Sequence, residues 1–181
     1  MHPPTGQIKA ITLCVQTAPL MTEREYNECV FLYADSVYRF ILKNLRREED
    51  AKDVVQTAFE KLWKTRDGVD AGKSKSYLFT IAYHQMIDHI RKTKRVQLRP
   101  DFREEAKVSD TPVSHLKKTL EKALARLNET QRSLVLLKDY EGYSYVEIGQ
   151  ITGLTESQVK VYLHRARIQL KNYLVSLENL I

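Results

Sequence analysis

The chain has 181 residues, 43% of them hydrophobic, enough for one or two small packed cores, and no apolar run approaches the roughly 18 residues of a membrane span. Glycine and proline are few, at six and five, while Leu, Lys, Glu and Arg are abundant, a balance that favours an all-α protein. A net charge of +6 points to an anionic partner, and nucleic acid fits better than a membrane because no amphipathic interfacial helix with Lys and Trp stands out.

Residues 1–21 hold Pro3, Pro4, Gly6 and Pro19 without sustained periodicity, the pattern of a mobile extension. The apolar patch inside it, Ile11 to Val15, is too short and too interrupted for a signal peptide, so a cytoplasmic protein without membrane insertion is expected. Thr22 and Glu25 have capping-box spacing, and Tyr26, Cys29/Val30, Tyr33, Val37 and Phe40/Ile41 then recur at helical spacing to about Asn44. Cys14 and Cys29 make neither a disulfide framework nor a zinc site, and Cys29 on an apolar face reads as a buried free thiol.

A second helix starts at Glu48, with Val54, Val55, Ala58, Phe59, Leu62 and Trp63 as its apolar stripe. Asp50, Asp53, Gln56, Thr57 and Glu60 occupy its other faces. A loop from Arg66 to Lys75, rich in Gly and Asp, precedes a third long helix that starts at Ser74 or Ser76. That helix ends in Arg91, Lys92, Lys94 and Arg95, followed by Arg99, with no acidic residue among them. Such a run marks a solvated end or an anion-binding surface, and the aromatic residues before it (Tyr77, Phe79, Tyr83) suit base stacking or a core, with Phe79 assigned to the core.

Between 96 and 115 the pattern dissolves into Pro100, Pro112 and four acidic residues, Asp101, Glu104, Glu105 and Asp110. This is a flexible linker, so two small helical domains are expected, over 22–95 and 116–178. The second opens with Leu120, Leu124 and Leu127 on one face, is recapped at Asn128 or Thr130, and continues through Leu134, Leu136 and Leu137.

The stretch Ser144 to Leu170, SYVEIGQITGLTESQVKVYLHRARIQL, carries two capping boxes, Ser144/Glu147 and Thr155/Gln158, on either side of a turn at Gly153. Val159, Leu163, Ala166 and Leu170 form one face of the second helix, while Lys160, His164, Arg165, Arg167 and Lys171 form another. A bracing helix followed by one with a basic face is a helix-turn-helix. The competing reading is a helical hairpin whose charges merely face water. The Gly-containing turn and the nearly unmixed sign of the exposed face weigh against it.

Three segments taken together, EDAKDVVQTAFEKLW, SYLFTIAYHQMIDHIRK and LEKALARLNETQRSLVLLKDYEGYSYVEIGQITGLTESQVKVYLHRARIQL, resemble a bacterial RNA polymerase sigma factor. The resemblance is to the extracytoplasmic-function (ECF) type that keeps only the region-2 and region-4 domains, and it spans roughly Thr22 to Leu174. It implies that Asp53 and Gln56, flanked by Asp50, Thr57 and Glu60, dock on core polymerase. It places −10 promoter contacts among Lys73, Lys75, Ser76, Tyr77, Thr80, Tyr83, His84, Asp88 and Arg91, where the family often has Arg-Asn in place of Tyr83-His84. It places −35 contacts among Thr155, Ser157, Gln158, Lys160, Val161, Tyr162, His164, Arg165 and Arg167, with phosphate capture at the helix start. Implied partners are core RNA polymerase, promoter DNA and an anti-sigma factor.

Neither a catalytic residue nor a metal site is expected. No Ser/His/Asp or Cys/His set, phosphate loop or paired metal ligands stand at workable spacing, His84 and His89 have no ligand partners, and no cofactor is implied. The alternative to a promoter-specificity subunit is a free-standing helix-turn-helix regulator with residues 22–95 as a sensing or dimerisation domain.

Overall fold

The computed structural model describes residues 21–96 and 112–178, and all regular structure among them is helical. Helix α1 spans Glu23–Leu45. It begins where its capping box predicts: the Glu25 amide donates to Thr22 Oγ1 at 3.3 Å, and the Thr22 amide donates to Glu25 Oε2 at 2.7 Å. It stops at Arg46, whose left-handed backbone (φ 63°) turns its N–H back onto the Leu42 carbonyl at 2.8 Å. Helix α2 spans Glu48–Thr65, and two 3₁₀ turns, Arg66–Gly68 and Ala71–Lys73, lead to α3, Ser74–Val96.

These three helices pack on one another. Tyr26 donates to the Phe59 carbonyl at 3.3 Å and meets Trp63 edge-on at 4.8 Å, which sets the start of α1 beside the end of α2. Val37, Ile41, Leu62, Leu78 and Phe79 are fully buried. Burial of each such side chain is worth about 1.5–3 kcal/mol, whereas a surface ion pair is worth about 0–1 kcal/mol. The apolar stripe therefore decides the packing, not the many charged pairs around it.

The second bundle comprises α4 (Pro112–Ala125), α5 (Glu129–Val135) continuing through a wide π-type turn over Leu136–Tyr140, α6 (Tyr145–Thr152) and α7 (Glu156–Glu178). Asn128, one of the two residues expected to recap α5, does so with Gln131 in a reciprocal box. The helix-turn-helix is α6 and α7. Gly153 ends α6 at φ 75°, a left-handed conformation that a side chain disfavours. Gly149 serves the same turn differently: a Cβ there would lie 2.7 Å from the Leu154 carbonyl oxygen, so only glycine lets α6 approach the turn.

The two bundles touch through α3 against α6 and α1 against α5. Asn44, buried at the end of α1, is the hinge point of the contact. Its carbonyl accepts from Arg132 Nη1 at 2.9 Å, and its Oδ1 accepts from the Ser133 hydroxyl at 3.0 Å. Phe79 and Tyr143 meet edge-on at 5.4 Å across the same boundary.

Several expectations need correction. Met21, assigned to the extension, is only 2% exposed and its amide donates to the Arg66 carbonyl at 3.3 Å, so it belongs to the first bundle. Helix α4 begins at Pro112, inside the expected linker, because proline is well suited to a first helical turn. Leu120, expected on one face with Leu124 and Leu127, is 45% exposed, and the face that packs is carried by Ala123, Leu124 and Leu127. The expected mobile extension and flexible linker otherwise fall on 1–20 and 97–111, outside the described residues. Cys29 is a buried free thiol as expected, and burial pushes its pKa up.

Candidate nucleic-acid interface

Helix α7 presents the residues expected at the −35 element. Its start is set by Thr155 and Gln158, which spend their side chains on each other: the Thr155 amide donates to Gln158 Oε1 at 2.9 Å and the Gln158 amide to Thr155 Oγ1 at 3.3 Å. The first-turn amides other than that of Gln158 remain directed outward, as at any helix start, where an anion is favoured. Val159, Leu163 and Ala166 are buried, which turns Ser157, Lys160, Val161, His164 and Arg165 to the surface. Tyr162 is half-buried. Lys160 bridges Glu156 at 2.6 Å, and Arg167 donates to Asp139 Oδ1 at 2.6 Å. Among the arginines and lysines expected at the −35 element, Arg165 is the one that is exposed and carries no ion pair among the described residues, a state that Lys171 farther along the helix shares.

Helix α3 and the turn before it carry the expected −10 residues. Lys73, Tyr77, His84, Asp88 and Arg91 are exposed, and Lys75, Ser76 and Thr80 are half-buried. Thr80 is turned inward on its own helix, its hydroxyl donating to the Ser76 carbonyl at 2.8 Å. Asp88 lies 3.6 Å from Arg91, and the Tyr77 hydroxyl reaches Thr65 at 3.4 Å. Tyr83 departs from the expectation. At 6% exposure it sits in the core of the first bundle, burial raises its phenol pKa, and only its neighbour His84 faces out. Tyr83 is thus unavailable to stack on a base in this arrangement.

The acidic and amide patch of α2 is assembled on one helix. Asp53 and Glu60 are exposed, Gln56 donates to Glu60 at 3.1 Å, and the Thr57 hydroxyl donates to the Asp53 carbonyl at 2.8 Å. Asp50 is set apart from them, half-buried between Arg47 at 3.4 Å and His89 at 3.4 Å. It braces α2 against α3 rather than facing outward.

Sequence reasoning missed Asn44, Arg132 and the acidic partners Asp139 and Glu141. Asn44 left a signal, a polar residue in phase with the buried Val37, Phe40 and Ile41. The acidic partners left none, because they meet their bases only through tertiary contact. Among the described residues no group of His, Cys, Asp and Glu is placed to hold a metal ion, and no helix is long and apolar enough to cross a membrane.

Residues 30–96 match the family model described as Sigma-70 region 2, and residues 117–170 match that described as Sigma-70, region 4. The chain is similar to the RNA polymerase sigma factor SigV of Bacillus subtilis, at 30% identity over 148 residues covering 78% of this chain and 89% of that one. It is also similar to the ECF RNA polymerase sigma factor SigE of Mycolicibacterium smegmatis, at 29% identity over 82% of this chain but only 61% of that longer one. Among solved structures it resembles the sigma factor RpoE in complex with the anti-sigma factor NepR from Bartonella quintana, with a TM-score of 0.72 and 25% identity over 83% of this chain and 97% of that one.

Proposed function

The chain belongs to the sigma-70 family as a promoter-recognising RNA polymerase sigma factor of the ECF type, and on that premise we propose how its surfaces divide the work. Asp53, Gln56, Thr57 and Glu60 form the core-polymerase contact, with Asp50 setting the pitch of α2 from behind. An acidic and amide patch on a protein of net charge +6 complements a basic partner and keeps the rest of the surface for DNA.

The cations and aromatics of α3 and of the turn before it, the exposed Lys73, Tyr77, His84 and Arg91 and the half-buried Lys75, hold the unpaired −10 strand. The physical task there is to keep opened bases from restacking, which cationic contact along the backbone and a ring to stack on accomplish. Helix α7 enters the major groove of the −35 element. Arg165 is the base reader and the first-turn amides grip a phosphate, while Lys160 and Arg167 act through the acidic groups that orient them.

The observation that supports this division is the order of the two matched segments, 30–96 then 117–170, on separate helical bundles with their polar surfaces exposed. A free-standing regulator would have no use for the first segment. The protein acts in the cytoplasm, where the DNA lies, and an anti-sigma factor that covers the polymerase-binding surface is a further partner, as RpoE has in NepR. Run-off transcription with purified core polymerase tests the reading. Initiation that depends on the protein is expected; failure to initiate at any promoter, together with failure to co-purify with core, would overturn it.

A further inference from the structure

We propose that Val161 is a specificity-determining residue of the recognition helix, its isopropyl group reading the C5 methyl of a thymine in the −35 element. This rests on the reading that α7 enters the major groove, and goes beyond it by assigning one base to one apolar contact.

The helix geometry puts Val161 at the crown of α7. Val159, Leu163 and Ala166 are buried and fix the side that packs on the bundle. At about 100° per residue, the direction opposite their mean is the line through Val161 and Ile168. Both are aliphatic and stand in solvent, at 46% and 47% exposure. Polar residues flank that line, Ser157 and Gln158 one turn before Val161, His164 and Arg165 one turn after it, and all four are exposed. Lys160 is drawn off the crown toward α6, bridged to Glu156 at 2.6 Å and 5.7 Å from the Tyr145 ring centroid. The side chain that projects farthest from the bundle in the first two turns is therefore a valine, with no cation over it.

A single exposed aliphatic residue needs no explanation in itself. What distinguishes Val161 is its place, because the N-terminal part of a recognition helix is the part that reaches base edges, whereas Ile168 lies two turns farther on. In the major groove the base edges present donors and acceptors and, for thymine alone of the four bases, a methyl group. A valine pressed on a ring nitrogen, a carbonyl or an exocyclic amine would take that group out of water and return no hydrogen bond. Opposite the methyl it displaces water from apolar surface on both sides and strands no polar group. Its β-branched side chain has one strongly preferred rotamer in a helix, so little freedom is lost on contact. Arg165 follows one turn later, about 5.4 Å along the axis against a base-pair rise of about 3.4 Å, so the thymine belongs within about two base pairs of the one that Arg165 reads.

Replacing thymine by uracil tests this, because it removes the methyl and keeps the base pair. Holoenzyme assembled from the full-length protein and core polymerase is first used to enrich promoter duplexes from a library randomised across the −35 element. Each −35 thymine of the enriched duplex is then replaced singly by deoxyuridine, on either strand, and holoenzyme binding is measured. One position should lose about fourfold in affinity, the scale of one buried methyl group. That loss should vanish in Val161→Ala, and should survive in Val161→Thr, which keeps a methyl at the same branch, and in Ile168→Ala. All three substitutions are at exposed positions, and thermal unfolding at the wild-type temperature excludes a folding defect as the cause. Enrichment with no uracil-sensitive position, or a sensitivity that Val161→Ala leaves intact, would overturn the assignment to Val161 while the placement of α7 in the groove stands. Absence of any −35 enrichment would overturn both.

Discussion

Arg167 of the recognition helix reaches back to Asp139 of the π-type turn, 2.6 Å away, instead of outward toward the groove face. Both side chains are about half exposed, so the pair contributes roughly 0.2–1 kcal/mol to stability. A double-mutant cycle of Arg167→Ala and Asp139→Ala, followed by thermal unfolding, should show coupling of that size. Arg165→Ala should instead leave stability alone and relax discrimination at one −35 position by about 1–3 kcal/mol. Lys171→Ala should act only through salt-dependent affinity. Equal, sequence-independent losses for the Arg165 and Lys171 variants on a set of −35 variants would argue against base reading by Arg165.

Asp53→Ala combined with Gln56→Ala removes two exposed side chains from α2 without touching the core. Affinity for core polymerase, measured by fluorescence anisotropy or co-purification, should fall, while thermal unfolding and DNA binding by the same protein stay at the wild-type level. Collapse of DNA binding instead would misplace both residues.

Gly149→Ala forces a methyl group to within 2.7 Å of the Leu154 carbonyl, a backbone atom that cannot rotate away. Overpacking of this kind costs about 1–3 kcal/mol. Gly153→Ala meets no atom within 4 Å and is opposed only by its φ of 75°, about 1–2 kcal/mol. Gly153→Asn should recover part of that loss because asparagine tolerates the left-handed region, and Gly149→Asn should recover nothing. Urea unfolding of the four variants distinguishes steric from conformational origin.

Glu147 lies at the start of α6, where the Ser144 hydroxyl and then its amide hold the carboxyl below the usual glutamate range. A pKa lower in the folded state means that folding favours the ionised form. Its stabilising contribution is present above the unfolded value, about 4.3, and is lost as pH falls through the folded value. Glu147→Gln should be less stable than wild type at neutral pH and converge toward it in acid. An unchanged difference from pH 7 down to strongly acidic conditions would exclude the ionised cap as the cause.

Tyr83→Phe keeps the buried ring and should leave promoter melting unchanged, whereas Tyr83→Ala should destabilise the first bundle by about 3–5 kcal/mol. Permanganate footprinting of the melted strand, alongside unfolding curves, separates the two effects. A melting defect in a fully stable Tyr83→Phe protein would restore Tyr83 to the DNA surface.

What the sequence determined by itself is everything governed by neighbours within a turn or two of helix. The Thr22, Ser144 and Thr155 boxes set three helix starts, Gly153 set the turn, and the spacing of Val159, Leu163 and Ala166 predicted which side of α7 is buried, because caps and periodicity act over three to seven residues. What the tertiary structure decided is which exposed-looking charges are already engaged and which polar residues are buried. Asp139 with Arg167 and Glu141 with Lys75 lie 28 and 66 residues apart, a partnership no local pattern encodes. Tyr83 and Asn44 went inward for the same reason, since the bundle geometry, not their chemistry, chose the side they face. The basic face of the helix-turn-helix was legible at once; that only part of it is free to read DNA was not.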